Sequence, residues 1–218
     1  MTWLTRCNME ILSIEEAAWK VRNGQVIAYP TETVYGLGSI IFEEEPVMRI
    51  KQIKGIAANK PLSVLISNNR KEEMLSELID SFLPVAQRLA KFFWPGPLTI
   101  IHECKEELPE FITGGTGFVG IRCSPYAFVN KFIDLIGHPI VSTSANITGQ
   151  PPATNYTDVF SYFDGMIDGV LICDDSISIE NQASPTNIPS TIVKVESHNF
   201  EIIREGAIKK EDILRKVL

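Results

Sequence analysis

The chain has 218 residues, 44% of them hydrophobic and 22% charged, with a formal net charge of −7. This composition is that of a soluble globular protein with a sizeable core, built as one large domain or two small ones. The acidic balance argues against a general nucleic-acid binder, no apolar run reaches the roughly 20 residues of a membrane helix, and residues 1–6 carry no basic-then-apolar leader, so a cytoplasmic location is expected.

Ser13-Ile14-Glu15-Glu16 has capping-box spacing and Gly24 supplies a stop, which predicts a helix over 14–23 with Ile14, Ala17, Ala18 and Val21 inward. Strands are predicted at 25–29 and 37–41. Pro46 opens a helix to about Lys54, 62–66 is a strand, and helices follow near 69–79 and 84–93. Trp94-Pro95-Gly96-Pro97 stops the second of these. Strands at 98–102 and 118–122 come next, then a helix at 127–136 ended by Gly137, then the short strand Ile140-Val141. Residues 148–156, rich in Gly, Pro, Thr and Asn, make a loop. Strands are predicted at 166–173, 191–195 and 200–204, the last two a hairpin joined by Glu196-Ser197-His198-Asn199. The tail 209–218 is a short helix. Alternating strands and helices followed by a strand-rich end predict a single α/β domain over 1–218, with a mixed sheet flanked by helices.

Cysteines at 7, 104, 123 and 173 and histidines at 102, 138 and 198 are scattered, so neither a disulfide framework nor a metal cluster is expected. The thiols read as buried and reduced; His102 reads as the close of a strand and His138 as a turn residue. Six basic residues, Arg49, Lys51, Lys54, Lys60, Arg70 and Lys71, occupy a stretch without an acid, bracketed by Glu43-Glu44-Glu45 and Glu72-Glu73. A basic island in an acidic chain points to a bound anion such as a nucleotide phosphate; a solvated helix face accounts equally for Arg70 and Lys71.

Two polar segments follow apolar runs: Tyr29-Pro30-Thr31-Glu32-Thr33-Val34-Tyr35-Gly36-Leu37-Gly38 after Val26-Ile27-Ala28, and Ser142-Thr143-Ser144-Ala145-Asn146-Ile147-Thr148-Gly149 after Ile140-Val141. Small hydroxyl, amide and glycine residues are thereby expected where buried strands run out, which is where α/β sheets bind ligands. These segments resemble the YrdC-like family of L-threonylcarbamoyladenylate synthases. The resemblance extends through Trp94-Pro95-Gly96-Pro97-Leu98-Thr99, Val119-Gly120-Ile121-Arg122, Ser190-Thr191-Ile192-Val193 and Ile203-Arg204-Glu205-Gly206, and covers roughly residues 13 to 208.

The resemblance implies a twisted sheet around a concave face. It also implies a reaction that joins L-threonine, bicarbonate or CO2 and ATP, with Mg2+ accompanying the nucleotide, into threonylcarbamoyl-adenylate and pyrophosphate. Other enzymes then carry the threonylcarbamoyl group to an adenosine of tRNA. Thr33, Arg122, Ser142 and Ser190 match threonine-side positions; Lys54, Ser144, Asn146 and Arg204 match nucleotide-side positions, with Lys54, Ser144 and Asn146 closest to the chemistry. On the residues alone Thr33 also suits a tight turn, Tyr35 suits packing, Ser190 suits a plain strand and Arg204 a surface charge. The family's Lys-x-Arg motif is broken, because Lys54-Gly55 is followed by Ile56; Lys60 or Lys51 is the expected substitute at the phosphates. Leu65 and Gln150 replace a histidine and an arginine of some members. Alternatives are a diverged YciO-type paralogue that binds nucleotide or RNA without this reaction, a module for tRNA or double-stranded RNA, and a carbamoyl-transfer domain.

Overall fold

A computed structural model describes residues 9–173, 188–197 and 199–217. They form β1 (Ile11–Leu12), α1 (Ile14–Arg22), β2 (Ile27–Tyr29), β3 (Gly36–Gly38), α2 (Glu44–Lys54), β4 (Ser63–Ile66), α3 (Lys71–Leu78), α4 (Pro84–Phe93), β5 (Leu98–Glu103), α5 (Glu110–Thr113), β6 (Phe118–Cys123), α6 (Ala127–Ile136), β7 (Ile140–Ser144), α7 (Tyr156–Phe163), β8 (Gly169–Leu171), β9 (Thr191–Glu196), β10 (Asn199–Arg204) and α8 (Lys210–Val217). One mixed α/β sheet runs in the order β1-β8-β2-β3-β7-β4-β6-β5-β9-β10. No helix among the described residues is long and apolar enough to cross a membrane.

The pleat sorts the central strands into two chemistries. Side chains alternate faces along a strand, so residues in register share a face. Val64, Ile121, Ile100, Val193 and Val141 stand in register across β4, β6, β5, β9 and β7, and all are fully buried. Helices cover that face. The opposite face carries Ser63, Gly120 and Ser142 in one row and Leu65, Arg122, Thr99 and Ile192 in the next. Small and polar residues thus floor a recess over the middle of the sheet.

Helix α1 is capped as its sequence predicts: the Ser13 hydroxyl accepts from the Glu16 amide and the Glu16 carboxylate accepts from the Ser13 amide. Helix α2 is oriented by Asp168, whose Oδ2 accepts from the Val26 amide at 2.8 Å and from Arg49 Nη1 at 2.6 Å. Its far end closes in a Schellman motif. Gly55 adopts φ 63°, its amide donates to the Gln52 carbonyl, and the Ile56 amide donates to the Lys51 carbonyl. The residue after such a glycine is characteristically apolar, because it packs back on the helix. Ile56 packs against the core in that way.

Five elements differ from the sequence expectation. Strand β7 continues through Ser142, Thr143 and Ser144, because Thr143 and Ser144 pair with Leu37 and Gly36 of β3. The recess therefore lies on the sheet face as well as past strand ends. Helix α7 begins at Tyr156, inside the predicted loop, capped by the Asn155 side chain accepting from the Asp158 amide. The strand expected at 166–173 shortens to β8, since Asp168 is spent on Val26 and Arg49. Short β1 and α5 were not foreseen. Cys7, His198 and Leu218 lie outside the described residues.

Candidate active site

The recess is a cavity of about 290 Å³ lined from seven strands and three loops, and it gathers Thr33, Arg122, Ser142, Ser144, Asn146, Ser190 and Arg204 in one place. Residues spread over more than 170 positions of sequence converge because β7, β4, β6, β5 and β9 are neighbours in the sheet. A larger groove of about 700 Å³ lies between α3 and α4. Its lysines stand on an open surface without convergent buried polar groups, so the chemistry belongs to the smaller recess.

Arg122 is buried and projects from β6. Its Nη1 donates to Glu32 Oε1 at 2.9 Å and to Thr33 Oγ1 at 3.3 Å, while Nη2 lies 3.5 Å from Ser142 Oγ. The second edge of the guanidinium therefore remains for an anion in the recess. Thr31 and Thr33 can be assigned by counting protons. The Thr31 hydroxyl donates to the Val34 carbonyl at 2.6 Å, so the 3.0 Å contact between the two hydroxyls uses the Thr33 proton. Thr33 donates to Thr31, accepts from Arg122, and offers a ligand only a lone pair. It suits an ammonium or hydroxyl donor and not a carboxylate. Ser190 lies 2.9 Å from the Thr99 hydroxyl, which the sequence reading had not singled out.

The opposite end is cationic. Lys54 is the last residue of α2, and its ammonium donates to the Ser144 carbonyl, to the Asn146 carbonyl at 2.9 Å and to Asn146 Oδ1 at 3.0 Å. Asn146 Oδ1 also accepts from the Ser144 hydroxyl at 2.6 Å, and its amide nitrogen donates to the Gln150 carbonyl at 2.8 Å. Burial, and then the nearby charge of Lys60, push the Lys54 ammonium down to about 8. Arg204 Nη2 donates to the Ser190 carbonyl at 2.8 Å. Burial and the facing Arg122 hold Arg204 below the ordinary arginine value. Two arginines line the recess, Lys54 is bonded to its lining residues Ser144 and Asn146, and no carboxylate lines it among the described residues, which makes this an anion site.

The basic island resolves into separate jobs. Arg49 pairs with Asp168, Arg70 with Glu73, and Lys71 with Glu72 at 3.4 Å. Lys51, one expected substitute for the missing arginine, is buried and donates to the Ala58 carbonyl. It holds the loop after α2 and is not free for phosphate. Lys60 is exposed and close enough to act on Lys54. Tyr35 lines the recess, and burial pushes its hydroxyl up to about 12. Neither of the two histidines among the described residues is at the site: His102 Nε2 accepts from the Leu83 amide and His138 pairs with Glu77. Cys123 is buried, its thiol pushed up to about 12, while Cys104 and Cys173 are only half-buried.

A family model described as "Telomere recombination", Sua5_yciO_yrdC, matches residues 20–206. The threonylcarbamoyl-AMP synthase of Pyrococcus abyssi is 35% identical over 95% of this chain, which spans 58% of that protein's length. The synthase of Pseudomonas savastanoi pv. phaseolicola is 40% identical over 72% of this chain and 83% of its own. The crystal structure of P. abyssi Sua5 complexed with L-threonine superposes with a TM-score of 0.83 at 31% identity, over 96% of this chain and 60% of that one. A model match over most of the chain, with relatives of this identity and one solved fold of this similarity, establishes that the chain belongs to the Sua5/YciO/YrdC family.

Proposed function

We propose that the recess condenses L-threonine, bicarbonate or CO2, and ATP into threonylcarbamoyl-adenylate and pyrophosphate, the activated group then passing to enzymes that modify tRNA. The observation that carries this reading is the division of the cavity. One end offers an arginine edge and hydroxyls suited to an amino acid, and the other offers an excess of positive charge suited to a triphosphate.

In this reading Arg122 Nη2 takes the threonine carboxylate, and Thr33, as a lone-pair acceptor, takes the ammonium or side-chain hydroxyl. Ser142 and Ser190 complete the pocket. The amine adds to CO2, forming the C–N bond of a carbamate and releasing a proton. A carbamate oxygen then attacks the α-phosphorus as the bond to pyrophosphate breaks. Lys54, Lys60 and Arg204 offset the charge that develops on the leaving pyrophosphate, and Mg2+ enters with the nucleotide as part of the substrate. Ser144 and Asn146 hold Lys54 over that end.

No carboxylate or imidazole lines the recess among the described residues. Glu32 has both oxygens engaged, by Arg122 and Ser124. Tyr35 is held protonated. The proton of the amine therefore leaves to solvent or bicarbonate, and catalysis is carried by positioning of the two substrates.

Ile56 favours a second reading, a paralogue that binds nucleotide without completing the reaction, since an apolar residue cannot donate to phosphate. Purified protein with ATP, Mg2+, L-threonine and labelled bicarbonate separates the two. Product and pyrophosphate are expected from the parent, and Ser144→Ala is expected to lower the rate about a hundredfold, because Asn146 Oδ1, which also accepts from Lys54, loses the Ser144 hydroxyl that holds it. A parent that binds ATP yet makes no product, with product restored in Ile56→Arg, establishes the second reading.

A further inference from the structure

We infer that Glu32 is a positioning residue for amino-acid recognition: it fixes which edge of the Arg122 guanidinium faces the recess. The inference rests on the threonine-binding reading above and adds a residue to it.

Glu32 sits in the loop between β2 and β3 and is 7% exposed. It does not line the cavity. Its two oxygens are divided: Oε1 accepts from Arg122 Nη1 at 2.9 Å, and Oε2 accepts from the Ser124 hydroxyl at 2.7 Å. Ser124 is fully buried. Its hydroxyl oxygen accepts from the Tyr126 amide at 3.1 Å, and its carbonyl accepts from the Asn130 side chain at 3.1 Å. Asn130, on α6, in turn accepts from the Asn68 amide at 2.8 Å. A continuous chain of buried hydrogen bonds thus runs from helix α6 through Ser124 and Glu32 to Arg122.

A buried ion pair is a poor device for stability, because desolvating both charges offsets most of their attraction. Its geometry is well defined, however, since each partner is held by further bonds. Here the carboxylate takes Nη1 and leaves Nη2 beside Ser142. Without it, the guanidinium has no anion fixing its rotation about the Cζ axis, and Nη1 becomes a second place for a substrate carboxylate. The substrate would then bind in more than one pose.

Calorimetric titration of L-threonine and of ATP into the parent, Glu32→Gln, Glu32→Asp and Ser124→Ala tests this, with turnover measured alongside. Glutamine keeps the shape and removes the charge. The expected result for Glu32→Gln is a loss of threonine affinity of roughly tenfold or more with ATP affinity held within about twofold. Ser124→Ala, which leaves the charge and frees its orientation, should move threonine affinity in the same direction by a smaller factor, and Glu32→Asp should recover part of the loss. Unchanged threonine affinity in both Glu32→Gln and Ser124→Ala overturns the inference. So does an equal loss for threonine and ATP, which marks a general structural defect. A parent that binds ATP but no threonine overturns the substrate reading together with this one, whereas a threonine-binding parent with indifferent variants overturns this one alone.

Discussion

Lys54 joins burial, charge and ligand more directly than any other residue here. Its ammonium makes three hydrogen bonds, yet burial pushes it down to about 8 from an ordinary 10.5. The sign for stability follows from which state holds the proton more tightly. The unfolded chain does, so between pH 8 and 10.5 unfolding takes up a proton and stability rises with pH, while below about 8 both states are charged and this contribution is flat. Nucleotide binding has the opposite sign, because phosphate needs the charged form. ATP affinity is expected to hold up to about pH 8 and then fall, toward a limit of about tenfold per pH unit, while the melting temperature does not fall in parallel from this group. Titration calorimetry between pH 7 and 9.5 checks it. Lys54→Arg, charged throughout, is expected to flatten the profile; a profile as steep in that variant places the titration elsewhere.

At the scale of elements, what was legible in sequence is what local chemistry dictates. The capping box at Ser13, the glycine stops at 24 and 137 and the proline starts at 46 and 84 placed α1, α6, α2 and α4 to within a residue or two. The strand lengths near the site were not legible, because partners set them: the serines of β7 stay in the ladder only because β3 brings Gly36 and Leu37 alongside. Site residues that matched a motif all reached the recess or its cationic end, whereas Glu32 and Thr99, inside matched segments but given no role there, and Ser124, outside them, bear on it through contacts that sequence does not show. Lys51 read as a free cation because sequence cannot show that its ammonium is buried against Ala58. Gly206 shows how a motif glycine serves an element contact. A Cβ there would lie 2.2 Å from the Pro189 carbonyl and 2.7 Å from the Ser190 backbone. Both obstacles are backbone, so Gly206→Ala must push the strand end bearing Ser190 away. A destabilisation of about 1–3 kcal/mol is expected. Threonine affinity should fall more than ATP affinity, measured by thermal melts and the same titrations.

For the molecule as a whole, the question is whether an acidic protein of net charge −7 carries a surface for RNA. The basic island invites an RNA-binding reading, but the fold disperses it. Arg49, Arg70 and Lys71 are matched to acids, Lys51 is buried, and of the island only Lys54 and Lys60 keep charge for a ligand, Lys54 being bonded to Ser144 and Asn146, which line a cavity sized for small molecules. An interface that tracks several phosphates releases counterions in proportion, and its affinity falls steeply with salt. Two uncompensated cations release few. The expected outcome is that tRNA binds this chain weakly, with a logarithmic slope against salt no steeper than about −2, and that millimolar ATP competes with it for the same charges. A slope several-fold steeper, insensitive to ATP and unchanged in Lys60→Ala, would mean that an RNA surface exists outside the recess. A shallow slope would fit the proposed division of labour, in which this chain would activate threonine and leave recognition of the RNA to the enzymes that receive the adenylate.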